Sequence, residues 1–262
     1  MTATSRFTLT LGLCVALVAI SGRVAAQLDN AASPGQAAQA RSQEELDSYL
    51  EVVSATDPRM VVQKVKAFVS AFPQSELLGA AYQYQLQACE RLNDFEGMLA
   101  AGEKALAQDP DSLNTLLALA PAMATRAAGR PDRDQLLSQA ESYAHRALDG
   151  VGKIRAPRQL SMEQWNIRKK EMQSEAHGVL GVVALQRGEF QSAASQLEMA
   201  ISLSSPPQGV QFLRLGLALA SSGKKEEAES KFRRAAELGP DSVRSVALDQ
   251  LKQLTLGKPQ AR

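Results

Sequence analysis

HGVLGVVALQRGEFQSAASQLEMA, residues 177–200, and FLRLGLALASSGKKEEAESKFRRA, residues 212–235, are one pattern written twice. His177, Leu180, Gly181, Ala184, Gly188, Ala193, Leu197 and Ala200 return thirty-five residues later as Phe212, Leu215, Gly216, Leu219, Gly223, Ala228, Phe232 and Ala235. Apolar residues recur at helical spacing on both sides of Gly188 and Gly223, so each copy reads as two helices joined at a glycine. Self-similarity at a fixed period is the mark of a stacked array, in which one unit cannot bury its apolar face alone. Pro206 and Pro240 close the two copies.

The pattern has a steric cause. Gly181 and Gly216 stand where the first helix approaches the second, and the small Ala193 and Ala228 answer from the other side. Gly188 and Gly223 suit the left-handed conformation that ends a helix. Glu189, Glu226 and Glu227 follow at the start of the next helix, where its dipole favours negative charge. The Phe212–Pro240 unit resembles the tetratricopeptide repeat, whose order is a large residue, Leu and Gly, Tyr, then Ala, Phe and a final Pro. In the unit from His177, His stands at the usual Trp and Ala184 at the usual Tyr. The resemblance implies an all-α, right-handed solenoid of about five antiparallel helix hairpins with a C-terminal capping helix.

Working outward, weaker copies precede these two. Tyr82, Leu86, Cys89, Asn93, Phe95, Ala105 and Pro110 outline one, with Asn93 at the usual Gly and Gly102 at the usual Phe. Leu116, Leu119, Ala120 and Met123 with Ala140, Ala144 and Ala147 outline another, its turn lengthened through Gly129–Pro131. Leu46, Tyr49, Leu50 and Val53 with Val61, Val65, Phe68 and Phe72 form an opening hairpin, whose Phe-Pro close is similar to repeats of bacterial envelope-assembly proteins. Gly150 to Leu160 reads as a basic loop, after which Ser161 caps a helix running through Trp165 and Met172 into Leu180. Asp241 or Ser242 starts a closing helix with Val243, Val246, Ala247, Leu251 and Leu254 on one face, the lid a repeat array needs. The expected organisation is a signal peptide over 1–26, a flexible leader over 27–41, hairpins over 42–149, a loop over 150–160, hairpins and cap over 161–256, and a tail over 257–262.

The compartment is read from the N-terminus. Arg6 precedes an apolar run from Phe7 to Ile20, too short for a comfortable span, and Val24, Ala25 and Ala26 fit a signal cut after Ala26. Leu13 before Cys14 does not fit a lipoprotein signal. The mature chain would be periplasmic or secreted, without a membrane span, and would keep Cys89 alone, so no internal disulfide forms. With 29 Lys and Arg against 28 Asp and Glu the net charge is +1, which points to no general nucleic-acid or anionic-membrane surface. Hydrophobic residues are 45% of the chain and aromatics 5%, the composition of closely packed helices rich in Ala, Leu and Val.

No constellation for catalysis, metal or cofactor emerges. His145 and His177 fall on repeat positions and read as surface or packing residues, and Cys89 as buried filler. Gly150-Val-Gly-Lys153 fails as a phosphate loop, because Ile154 replaces the metal-binding Ser or Thr and the upstream glycine is missing. Glu44 with Glu45 and Glu226 with Glu227 are adjacent and do not face each other on a helix. Trp165 reads as core or lid packing. What the family resemblance implies instead is a concave groove lined by first helices. It transfers to Gln83, Gln87, Glu90 and Arg91, then Val182, Leu185 and Gln186, then Leu213, Leu217 and Ala220. Such a groove, amide-rich at one end and apolar at the other, suits an extended peptide or amphipathic helix. Either its apolar end is open or the closing helix covers it. The expected protein is a non-enzymatic interaction scaffold of the cell envelope holding a protein or peptide, or else a holdase-like chaperone for exported clients.

Overall fold

Ser42 starts the first helix by accepting a hydrogen bond from Glu45 N at 3.1 Å, and the same device recurs along the chain. A computed structural model describes residues 38–157 and 159–256, which contain eleven α-helices and no strand. They are α1 (Gln43–Ser54), α2 (Pro58–Ala71), α3 (Leu78–Arg91), α4 (Phe95–Gln108), α5 (Leu113–Arg126), α6 (Arg133–Lys153), α7 (Met162–Arg187), α8 (Phe190–Leu203), α9 (Gly209–Ser221), α10 (Lys225–Leu238) and α11 (Asp241–Leu256). Asp57 caps α2, accepting from Arg59 N and Met60 N, and Asp94 caps α4 at 3.0 Å from Gly97 N. Ser161 and Gln164 cap α7 reciprocally, the hydroxyl accepting from Gln164 N and the amide oxygen from Ser161 N. The signal, and the leader as far as residue 37, lie outside the described residues.

The repeat turns share one geometry. Gly188 and Gly223 have φ of 79° and 83°, and Asn93 has 58°. In each case the next residue's N–H reaches back to the same carbonyl: Glu189 to Ala184 O, Lys224 to Leu219 O and Asp94 to Cys89 O, all at 2.9 Å. This six-to-one closure satisfies the last helical carbonyls, and Asn is the residue after Gly that best tolerates it. Asn93 therefore replaces the missing glycine in the early copy.

Helices pair in order, α1 with α2 through α9 with α10, and α11 lies against α10 and α9. First helices also touch across units, α5 with α7 and α7 with α9, so five hairpins stack into a solenoid with a closing helix. The close approach within hairpins is as expected: a Cβ on Gly181 would lie 2.5 Å from Leu197 Cγ, and one on Gly216 would lie 2.6 Å from the Phe232 ring. Gly102 departs from the pattern for a different reason. Leu119 of α5, itself fully buried, occupies the space an aromatic would take, 2.6 Å from where a Cβ would be. Trp165, Cys89 and Met172 are all buried in the central core, whereas Met162 is 64% exposed.

One boundary differs from the sequence reading. The loop expected from Gly150 begins at Ile154, because α6 continues through Lys153. Val151 is wholly buried and Gly150 lies against Leu113, so tertiary packing holds a helical turn that glycines alone would weaken. At the other end of this region a small polar knot joins units. Ser174 Oγ donates to Ala200 O at 2.8 Å and meets Ser204 Oγ at 2.8 Å, while Gln211 Nε2 donates to Ser204 Oγ at 2.7 Å.

Candidate binding trough

The thirty-five-residue register places Glu175, Val179, Val182 and Gln186 of α7 on the same face as Val210, Arg214, Leu217 and Ser221 of α9. On α9 this is the side opposite Gly216 and Leu219, which are buried against the hairpin partner. First helices aligned in this way form one wall of the solenoid. Glu175 on this wall is open to water, yet the protein mass around it pushes its carboxyl up to about 7. Desolvation by that surrounding mass is the main cause. Arg168 opposes it, and Glu90 and Glu171 add to it. A group that touches solvent while enclosed by protein sits in a trough. Gly178, one turn along α7, has nothing within 4 Å of where a Cβ would project.

The trough carries separated charge. Glu90 of α3 is half-buried, and burial raises its carboxyl while Arg126 of α5 pulls the other way. Glu171 pairs with Arg168 at 3.4 Å. Arg214, half-buried on α9, enters no ion pair among the described residues, and burial lowers its guanidinium from the ordinary value. The acidic groups thus come from α3 and α7, with Arg126 of α5 and Arg168 of α7 beside them, and a further arginine, outside any ion pair, comes from α9.

The residues transferred from the family pattern are distributed unevenly. Glu90 faces this cluster, and Gln87 beside it is half-buried. Gln83 donates to Ser112 Oγ at 2.9 Å and Arg91 to Thr56 O at 3.0 Å, so both tie neighbouring units together. Gln186 reaches Ala124 O of α5. Its other amide atom, Oε1, is buried without a partner. Val182 and Leu213 are each only 9% exposed. Leu185, Leu217 and Ala220 are half-buried against the C-terminal core that α11 shares through Val243, Ala247, Leu251 and Leu254. The apolar end is therefore largely packed rather than open.

Arg168, Glu171, Glu175 and Arg214 were not singled out in the sequence. The signal was present in the repeat register, since Arg214 lies on the face of Leu217, but the strongest residues of α7 lie at and before its first repeat position. Elsewhere, a shallow depression of about 610 Å3 lies beside Phe212 on the flank of α10, and its charges pair locally, Arg233 with Glu229 and Arg234 with Glu237. No group of three or more His, Cys, Asp or Glu suited to a metal exists among the described residues. His177 Nδ1 lies 2.7 Å from Gln196 Oε1, a contact within its own hairpin.

No protein-family model matches the chain, and no curated protein sequence does. Solved structures are similar in fold. The RpL4 assembly chaperone Acl4 superposes with a TM-score of 0.60 at 15% identity, over 81% of this chain and 84% of that one. PilW, described as a widely conserved type IV pilus biogenesis factor, gives 0.51 at 16% identity, over 84% and 96%. TTC0263, a tetratricopeptide protein of Thermus thermophilus, gives 0.46 at 17%, over 82% and 98%.

Proposed function

We propose that this chain is a non-enzymatic interaction scaffold of the bacterial cell envelope, periplasmic or secreted, that holds an extended segment of a partner protein in the trough. The observation that carries this is the Glu175 carboxyl, enclosed by protein yet open to solvent, beside the unfilled space at Gly178. A trough with Glu90 and Glu175 towards one end and Arg214 towards the other suits a peptide presenting a basic side chain to the first pair and an acidic one to the arginine. The envelope setting rests on the apolar run Phe7–Ile20 followed by Val24, Ala25 and Ala26.

The holdase-like chaperone reading needs an open apolar floor. Val182 and Leu213 are buried, and Leu217 packs into the core that α11 closes, so the scaffold is favoured. The test is co-purification from an envelope fraction with the parent chain, Gly178→Trp and Glu175→Lys. One partner in stoichiometric amount with the parent, lost in both variants at unchanged melting temperature, supports the trough. Retention of that partner by both variants refutes the assignment, and a broad set of unfolded clients instead of one partner replaces the scaffold with the chaperone.

A further inference from the structure

The whole-chain charge of +1 conceals a local segregation. Between residues 153 and 173 there are six cations, Lys153, Arg155, Arg158, Arg168, Lys169 and Lys170, against two acids, Glu163 and Glu171. This segment is net +4, which leaves −3 on the rest of the chain. It is also the stretch where α7 exceeds the repeat. Ser174 meets the end of α8 through Ala200 and Ser204 and the start of α9 through Gln211, so the residues of α7 before Ser174 run past both neighbours. Gln186 reaches Ala124 near the C-terminal ends of α7 and α5, which sets Leu113, the first residue of α5, level with Glu175. Twelve residues of α7, Met162 to Gln173, therefore project as a spur about 18 Å long at 1.5 Å per residue. One side is backed by the 154–161 connection: Trp165 and Met172 share the central core with Ile154, and Ala156 and Leu160 pack against it.

The outer side of the spur mixes exposed cations with two exposed apolar side chains. Met162 is 64% and Ile167 47% exposed; they lie on the two flanks of the exposed side of α7, about 140° apart, with Asn166 and Lys170 between them. Lys153, Arg155 and Lys170 are exposed and Lys169 is half-buried, and none of the four enters an ion pair among the described residues. We infer that this spur is a peripheral docking site for an anionic phospholipid surface. Unpaired cations meet the headgroups by charge complementarity, and Met162 and Ile167 enter the interface. A projecting spur reaches a flat bilayer without the body of the solenoid intervening. A nucleic-acid backbone would match the cations but gives Met162 and Ile167 nothing to bury against. The contact is a surface one, since no described helix is long and apolar enough to cross a membrane, and the cations it uses, Lys169 and Lys170, are not among the charges of the trough.

The experiment is co-sedimentation of the full chain with vesicles of phosphatidylglycerol and phosphatidylcholine in equal parts, against phosphatidylcholine alone, in 0.1 M salt. The apolar run Phe7–Ile20 favours both kinds of vesicle alike, so the readout is the difference between them. The parent binds the anionic vesicles preferentially. Lys169→Gln with Lys170→Gln weakens that binding roughly 25-fold, about fivefold per cation. Met162→Ser with Ile167→Ser also weakens it, while Lys225→Gln with Lys252→Gln, removing two exposed cations elsewhere, leaves it unchanged. Equal binding to both vesicles by the parent overturns the inference, as does a lysine pair on α7 that can be neutralised without loss. Full retention by the Met162/Ile167 variant, with displacement of the chain from vesicles by duplex DNA, assigns the spur to nucleic acid instead.

Discussion

Gly178 and Gly181 lie one turn apart on the same helix, and replacing each with alanine separates helix propensity from packing. In a helix interior, Gly to Ala is worth about 1 kcal/mol in favour of alanine. At Gly178 the new Cβ meets nothing within 4 Å, so Gly178→Ala gains the whole of this. At Gly181 the Cβ falls 2.5 Å from Leu197 Cγ and 2.8 Å from its Cδ2. Leu197 is 1% exposed, and the atom met first is its branch point rather than the tip of a flexible chain. Overpacking of that kind costs about 1 to 3 kcal/mol, so Gly181→Ala ends between neutral and about 2 kcal/mol less stable than the parent. The difference between the two variants is the clash alone, about 1 to 3 kcal/mol. Urea melts followed by circular dichroism measure it, and in thermal melts it separates the midpoints by roughly 2 to 4 °C per kcal/mol. Because repeats unfold with their neighbours, hydrogen exchange at α7 and α8 localises the loss. Two variants of equal stability would refute the close-packed hairpin as the reason for glycine at this position.

Two other outcomes follow from named side chains. Glu175 has its carboxyl raised to about 7 in the folded chain from an ordinary 4.5, so between these values the folded state binds more protons than the unfolded one and stability falls as pH rises through the window. Glu90, also raised, acts in the same direction. Glu175→Gln flattens the fall in urea melts between pH 4.5 and about 7, and a slope identical to the parent's contradicts the trough environment. Cys89 is 2% exposed, and burial, followed by the nearby Asp94, raises its thiol above the ordinary range. Its reaction with a soluble aromatic disulfide tracks global unfolding in increasing urea; rapid labelling of the native chain would show that α3 does not pack as described.

Hairpin order was legible from sequence because the signal is steric and local. A glycine opposite a large residue, and a left-handed residue before the second helix, leave their mark at fixed spacing, and Asn93 preserves the geometry where the glycine is absent. Gly102 was legible as a departure but not as a solution, since Leu119 fills its place from the next hairpin. The end of α6 was not legible for a related reason: Gly150 and Gly152 argue against helix, while the burial of Val151, a long-range fact, holds it. The trough was only partly visible. Transferred positions identified Glu90, but Gln83, Arg91 and Gln186 are drawn into bonds with neighbouring units. The charges that define the hollow come from four different helices, and their convergence is a product of how the coil curves.

The knot of Ser174, Ser204, Gln211 and the Ala200 carbonyl has a mechanical meaning. Hydrogen bonds weaken steeply once donor and acceptor fall out of line, so the knot resists any slip of one unit past the next. Like the bonds from Gln83 to Ser112, Arg91 to Thr56 and Gln186 to Ala124, the knot latches one unit to the next. The span between Glu175 and Arg214, which straddles this latch, keeps a fixed gauge.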